Sequence, residues 1–337
     1  MSRSVRVAGT LVEGGENIGL HRFALFTVCC TAFLIFVGGL VTSTESGLSV
    51  PDWPTTYGWN MFAFPVSKWV GGIFYEHSHR LVASFVGFLT VILAFWTWIS
   101  EKRNGVRWLA MGALGAVVSQ GILGGLTVKL MLPTSVSMAH ACLAQTFFCL
   151  VISLAQFTSP QWKQGLPIAH SPANNSSTVS LPVLCSLTTA AVYVQLLLGA
   201  WMRHSDAGLA IRDFPLSLGR LIPHFTSRNI AIHFSHRVGA LLVAIMITWT
   251  FLRIRSAYRK HDLLRKPATV LVTLLCLQLT LGASTVWSGK AVLIATAHVA
   301  TGALVLGTSV LLTLRAWGMV PARDDAKTST REAAAWR

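Results

Sequence analysis

Charge is what this chain has least of. Of its 337 residues, 12% are charged and 53% are hydrophobic, whereas a soluble domain carries roughly 25% charged residues. That deficit excludes an ordinary soluble fold. Acids are the scarcer sign, with 12 Asp and Glu against 27 Lys and Arg and a net charge of +15. Cysteine is absent between the apolar stretches: Cys29, Cys30, Cys142, Cys149, Cys185 and Cys276 all fall inside them. This argues against a disulfide framework and against a loop thiol couple, and it leaves the cysteines as small core residues. The long apolar runs also lack the period-2 alternation of a membrane strand.

What is present is eight apolar stretches, at residues 23–42, 79–100, 108–129, 137–158, 181–202, 232–252, 267–287 and 291–316. Each is near the roughly 20 residues that cross a bilayer as helix. The basic residues border these stretches: the N-terminal tail, the loops after the second, fourth and sixth, and the C-terminal tail hold most of them. Arg253, Arg255, Arg259, Lys260, Arg265 and Lys266 form the densest group. By the positive-inside rule these segments face the cytoplasm, as do both termini, and nucleic acid is not an expected partner. Glu13 and Glu16 argue against a transit peptide, and no small-residue cleavage site follows the first stretch. A bacterial plasma membrane is the simplest location.

The chain repeats itself. Glu45-Ser-Gly-Leu-Ser-Val-Pro-Asp-Trp-Pro54 matches Asp206-Ala-Gly-Leu-Ala-Ile-Arg-Asp-Phe-Pro215, the Ser-His-Arg at 78–80 matches that at 235–237, and Gln120, Leu123, Gly124, Thr127 and Val128 match Gln278, Leu281, Gly282, Thr285 and Val286. Four spans per half make the repeat parallel rather than inverted. The expected fold is an all-α membrane protein with eight transmembrane helices as two tandem, parallel-repeat four-helix bundles. The expected boundaries are a cytoplasmic tail at 1–22, a first bundle at 23–158, a cytoplasmic linker at 159–180, a second bundle at 181–316 and a cytoplasmic tail at 317–337. The longest outer loops, 43–75 and 203–230, would fold over the bundle mouths. Asp52 and Asp213 open turns in them where a carboxylate can bond nearby amides.

Four histidines stand at matching places, His79 and His140 in the first half and His236 and His298 in the second, 61 and 62 residues apart. All lie near the outer ends of even-numbered spans and so share a depth. Two facing histidines in a bundle can hold a flat macrocycle, and haem iron needs only two axial ligands, whereas zinc wants three or four ligands close together. Arg80 and Arg237 follow the first histidine of each pair, placed to snorkel toward water or to bond carboxylates such as haem propionates. One position breaks the symmetry. Glu76 lies three residues before His79, a helical turn away on the same face, and His233 takes its place in the second half. An acid near a span is a functional candidate by default.

Glu-x-x-His-Arg at 76–80, Glu-Ser-Gly-Leu-Ser at 45–49, Asp-Trp-Pro at 52–54, Ser-His-Arg at 235–237 and Ala-His at 139–140 and 297–298 resemble the haem A synthase family over roughly residues 20 to 316. The resemblance implies an eight-helix enzyme that oxidises a ring methyl of haem O to the formyl group of haem A. It implies a resident haem b on His236 and His298 and a substrate-haem site at His79 and His140 with Glu76 catalytic; beside these histidines, Arg80 and Arg237 are the expected cofactor-binding residues for haem propionates. It also implies haem O, membrane lipid, haem O synthase and cytochrome oxidase assembly factors as partners, with an electron acceptor that the sequence does not identify. Two departures stand out: the cysteine pair that many relatives carry in the first outer loop is missing, and Thr42 stands near the place of a frequent arginine. The alternatives are a non-enzymatic di-haem cytochrome that relays electrons, which Glu76 argues against, and a repeat-built transporter, which would want polar groups near mid-membrane rather than at the outer end.

Overall fold

The computed structural model describes residues 18–169 and 179–320; most of both expected tails and the middle of the expected linker lie outside them. The described chain is helical. Eight long helices, α1 Ile18–Ser43, α2 Gly72–Ser100, α3 Asn104–Lys129, α4 Thr134–Thr158, α6 Leu181–His204, α7 Arg228–Ala257, α8 Asp262–Trp287 and α9 Val292–Met319, are each long and apolar enough to cross a membrane, and α5 is a short helix at Pro160–Lys163. Among the described residues the β-type contacts are two isolated bridges, Thr56 with Trp59 and Ser217 with Arg220. Helix is the outcome that apolar runs of this length favour, because all backbone groups are then satisfied within one segment. Hydroxyls inside the spans follow the same rule: Thr27, Thr90 and Thr188 each donate to the carbonyl four residues back.

Several helices begin earlier than the apolar stretches. α2 starts at Gly72 rather than 79, and α7 at Arg228 rather than 232. Their second turns carry Glu76, His77 and His233, polar side chains that bond the long loops. Ser227 caps α7 by accepting from the Ile230 amide at 3.3 Å.

The helices pack as two rings. α1 touches α2 and α4, and α3 touches both α2 and α4. α6, α7, α8 and α9 repeat this order. The rings meet through α1 against α9 and α4 against α6 and α9, so α1, α4, α6 and α9 are central. This arrangement is consistent with the expected tandem bundles. Each half has its own apolar core. Leu93, Phe148, Val151 and Leu154 lie in one, and Ile247, Ile254, Leu271 and Leu312 in the other. Both cores sit toward the end of the helices away from the long loops 44–71 and 205–227. The four paired histidines sit toward the long-loop end.

The long loops also match in backbone detail. Glu45 and Asp206 both take positive φ, at 55° and 54°, and so do Tyr57 and Leu218, at 50° and 56°. Asp52 accepts from the amides of Tyr57 at 2.7 Å and Gly58 at 2.9 Å, and Asp213 from those of Leu218 at 2.7 Å and Gly219 at 2.8 Å. Partial burial works to raise the Asp52 pKa, but the bonds from the Gly58 amide, the Thr55 hydroxyl and the Tyr57 amide outweigh it and hold the carboxyl at about 2. The turn-forming role expected of both aspartates is what the structure shows.

Candidate functional site

His79, His140, His236 and His298 each lie six to eight residues inside the long-loop end of α2, α4, α7 and α9, about 9–12 Å along the axis. In each ring the two histidine-bearing helices are diagonal to one another. The pairs face across the ring closely enough that His140 acts electrostatically on His79 and His298 on His236. Among the described residues no cluster of three or more His, Cys, Asp or Glu could hold a metal ion by itself. Two paired sites therefore fit a cofactor that brings its own equatorial ligands.

The neighbouring helices are built around these rings. Every histidine packs against a glycine of the preceding helix. A Cβ added at Gly38, Gly124, Gly199 or Gly282 would stand 3.1, 3.2, 3.1 or 3.0 Å from Cε1 of His79, His140, His236 or His298 respectively. One turn away, on the same face, three of the four glycines have a glutamine. Gln120 Nε2 donates to the His140 carbonyl at 2.9 Å and Gln195 Nε2 to the His236 carbonyl at 2.8 Å. Gln195 also lies 3.0 Å from His236 Nδ1, and Gln278 Nε2 lies 3.4 Å from His298 Nε2. His298 Nδ1 lies 3.2 Å from the Gln278 carbonyl, a contact that places the proton on Nδ1 and leaves Nε2 as the acceptor nitrogen. The fourth place is different: Leu34 precedes Gly38 where a glutamine would stand. His79 Nδ1 and His140 Nδ1 are buried without a hydrogen-bond partner. Paired imidazoles at one depth and glycine clearance fit haem in both halves, and the first half adds two buried ring nitrogens without protein partners.

The arginines after the histidines make a second matched set. Arg80 donates from Nη1 to the Asp52 and Thr55 carbonyls at 2.7 and 3.0 Å, and from Nη2 to the Val50 carbonyl at 2.8 Å. Arg237 reaches the equivalent Asp213, Leu216 and Ile211 carbonyls at 2.8, 2.7 and 3.2 Å. Both arginines clamp the long loop of their own half onto the ring, and only Nε of each is left for a ligand carboxylate.

Glu76 and His233 close the clamps differently. Glu76 Oε1 pairs with Arg80 Nη2 at 2.7 Å, and Oε2 accepts from the Val50 amide at 2.7 Å. In the second half His233 Nδ1 accepts from the Ile211 amide at 3.3 Å. Each residue is 3% exposed. Glu76 is thus a buried carboxylate above the first histidine pair, where its counterpart carries no acid.

The other histidines have local tasks. His77 Nδ1 lies 3.2 Å from Thr56 Oγ1, and the ring is flanked by Phe64 and Trp69. His224 bonds Arg220 at 2.7 Å. The six cysteines are free thiols within helices.

Comparison with known proteins agrees with this geometry. The family described as cytochrome oxidase assembly protein (COX15-CtaA) matches residues 21–310. The chain belongs to that family. Among curated proteins, the haem A synthase of Halalkalibacterium halodurans is 30% identical over 304 residues, 88% of this chain and 92% of the relative. The haem A synthase of Shouchella clausii is 28% identical over 281 residues, covering 82% and 89%, and that of Chelativorans sp. 28% over 328 residues, covering 85% and 88%. Membership fits a multi-pass membrane protein whose family is concerned with haem.

Sequence reasoning found the histidine pairs, the arginines and Glu76, but not the supports. Gly38, Gly199 and Gln195 were the missed residues. The signal was available as a glycine four residues after Gln or Leu on all four odd-numbered spans, at Leu34-x-x-x-Gly38, Gln120-x-x-x-Gly124, Gln195-x-x-x-Gly199 and Gln278-x-x-x-Gly282.

Proposed function

We propose that this chain is a haem A synthase, an oxidoreductase that converts a ring methyl of haem O to the formyl group of haem A for terminal oxidase assembly. The observation that carries the reading is the single acid in an otherwise matched pair of sites. Glu76 stands over the His79–His140 pair, and His233 stands at its place over His236–His298. Oxidation of methyl to aldehyde takes two successive hydroxylations and loss of water, and it moves protons at a ring substituent. A carboxylate near that substituent can accept a proton, position water or stabilise developing positive charge.

His79 and His140 hold the substrate haem in this account. Gly38 and Gly124 leave their imidazoles room to meet it. Glu76 is already oriented by Arg80 and the Val50 amide, so it enters the reaction by loosening one of those bonds. No glutamine stands beside His79 as Gln195 stands beside His236.

His236 and His298 hold the resident haem b. When bound there, such a group would supply one-electron transfer, with His236 and His298 as the residues that would hold it. Gln195 and the Gln278 carbonyl fix the two imidazoles. The long-loop face lies outside the bacterial plasma membrane, and both termini lie in the cytoplasm, because the basic loops after α2 and α7 fall on the opposite face.

A second reading, a di-haem cytochrome that only relays electrons, is favoured by the engagement of both Glu76 oxygens in the loop clamp. Pigment extraction from purified protein separates the two. The synthase yields haem O, a hydroxylated intermediate or haem A beside haem B, and a relay yields haem B alone.

A further inference from the structure

Arg203 lies in the last turn of α6, and Thr42 takes its place in the first half. Its guanidinium crosses between the halves. Nη2 donates to the Gly39 carbonyl at 3.0 Å and to Ser43 Oγ at 2.7 Å. Ser43 Oγ also accepts from Thr296 Oγ1 at 2.9 Å, and Thr296, fully buried, lies two residues before His298. A Cβ added at Gly39 would stand 3.2 Å from Thr296 Cγ2. Arg203 thus sits where α6, α1 and α9 converge, on the long-loop side of the second histidine pair, close enough for its charge to act on His298.

This cation lacks a counter-charge. Among the described residues no Asp or Glu pairs with it, and its Nη1 and Nε donors make no bond to the protein. An arginine within a span is costly unless something anionic or several acceptors face it. The arginines next to the histidines cannot meet that need fully, since Arg80 and Arg237 already use both Nη atoms on the loops.

We infer that Arg203 recognises a carboxylate of the group held by His236 and His298, anchoring it in the second half, while Thr42 leaves the first half without an equivalent anchor. The inference rests on the reading that the histidine pairs hold haem, whose two propionates supply the carboxylates. It gives the halves different tasks by affinity: the second retains its haem, and the first exchanges substrate for product. A lipid phosphate is the other anion of suitable chemistry. The central position of α1, α6 and α9, away from the peripheral α3 and α8, favours the carboxylate.

The test uses full-length protein purified from a haem-deficient host and titrated with haem B and with haem B dimethyl ester, in nanodiscs with and without anionic lipid. Binding is followed by the low-spin absorption that His236→Ala removes. The wild type should prefer the free acid by roughly tenfold or more, as expected for a charge-assisted bond. Arg203→Gln should lose that preference while still binding the ester, and Arg203→Lys should restore part of it. An Arg203→Gln protein with the full wild-type preference would overturn the inference. So would a wild type that binds acid and ester equally, or a preference that appears only when anionic lipid is removed. A wild type that binds neither compound overturns the underlying haem reading instead.

Discussion

Glu76 and His233 grip the same point of two matching loops: Glu76 Oε2 takes the Val50 amide at 2.7 Å, and His233 Nδ1 takes the Ile211 amide at 3.3 Å. The two halves therefore share a mechanical element and differ in the chemistry of its end group. An amide is satisfied equally well by a carboxylate or an imidazole nitrogen. Holding the loop does not by itself require the acid, and the ion pair between Glu76 and Arg80 is an addition peculiar to the first half.

The glycine clearance can be probed in one helix against another. Gly282→Ala would put a Cβ 3.0 Å from His298 Cε1, whereas the same change at Gly112 meets nothing within 4 Å. Gly282→Ala is expected to displace the imidazole at a cost of about 1–3 kcal/mol, seen as a loss or shift of the low-spin haem spectrum. Gly112→Ala should leave that spectrum alone and add about 0.5–1 kcal/mol of helix stability. Equal spectra in the two variants would contradict the packing argument.

Gln195 and Leu34 offer a reciprocal exchange. Gln195→Leu removes the contacts to His236 Nδ1 and to its carbonyl, and should alter the electron paramagnetic resonance g-values of the second-half haem. Leu34→Gln should leave that signal unchanged. An unaltered signal in Gln195→Leu would show that the glutamine does not orient the ligand.

His236→Ala is expected to abolish the low-spin haem b spectrum of the purified protein, since the ring has no second histidine within its own helix at the same depth. An unchanged spectrum would refute the ligand assignment.

The eight spans were legible because each apolar run is long enough to cross a membrane alone, and the histidine pairs because a repeat marks equivalent depths. The starts of α2 and α7 were not, because polar residues such as Glu76, His77 and His233 interrupt the apolar pattern within the helices that begin at Gly72 and Arg228. The partners of Arg80 and Arg237 were hidden for a related reason: they are backbone carbonyls, and any sequence that makes the turn supplies them. Arg203 gave no local signal at all, since its significance comes from Gly39, Ser43 and Thr296 on two distant helices.

Acid stability should carry the mark of Glu101, at the end of α2 on the face away from the long loops. Bonding from Arg103 outweighs burial, and with the nearby charge of Lys163 it holds this carboxyl at about 2. An unfolded glutamate titrates near about 4.3. The depressed folded value means that the stabilisation is full above roughly pH 4.3 and lost as pH falls toward about 2. Glu101→Gln should lower stability by about 2 kcal/mol at neutral pH and flatten the fall in Tm within that window. A variant whose Tm falls as steeply as the wild type would contradict the assignment.

The most direct measurement is the haem extracted from purified Glu76→Gln protein made in a host that supplies haem O. The account predicts haem B at the wild-type level with haem O accumulating and haem A reduced by at least about 100-fold, the scale of a lost acid–base group. Haem A formed at the wild-type rate, with the second-half haem intact, would show that Glu76 only holds the loop.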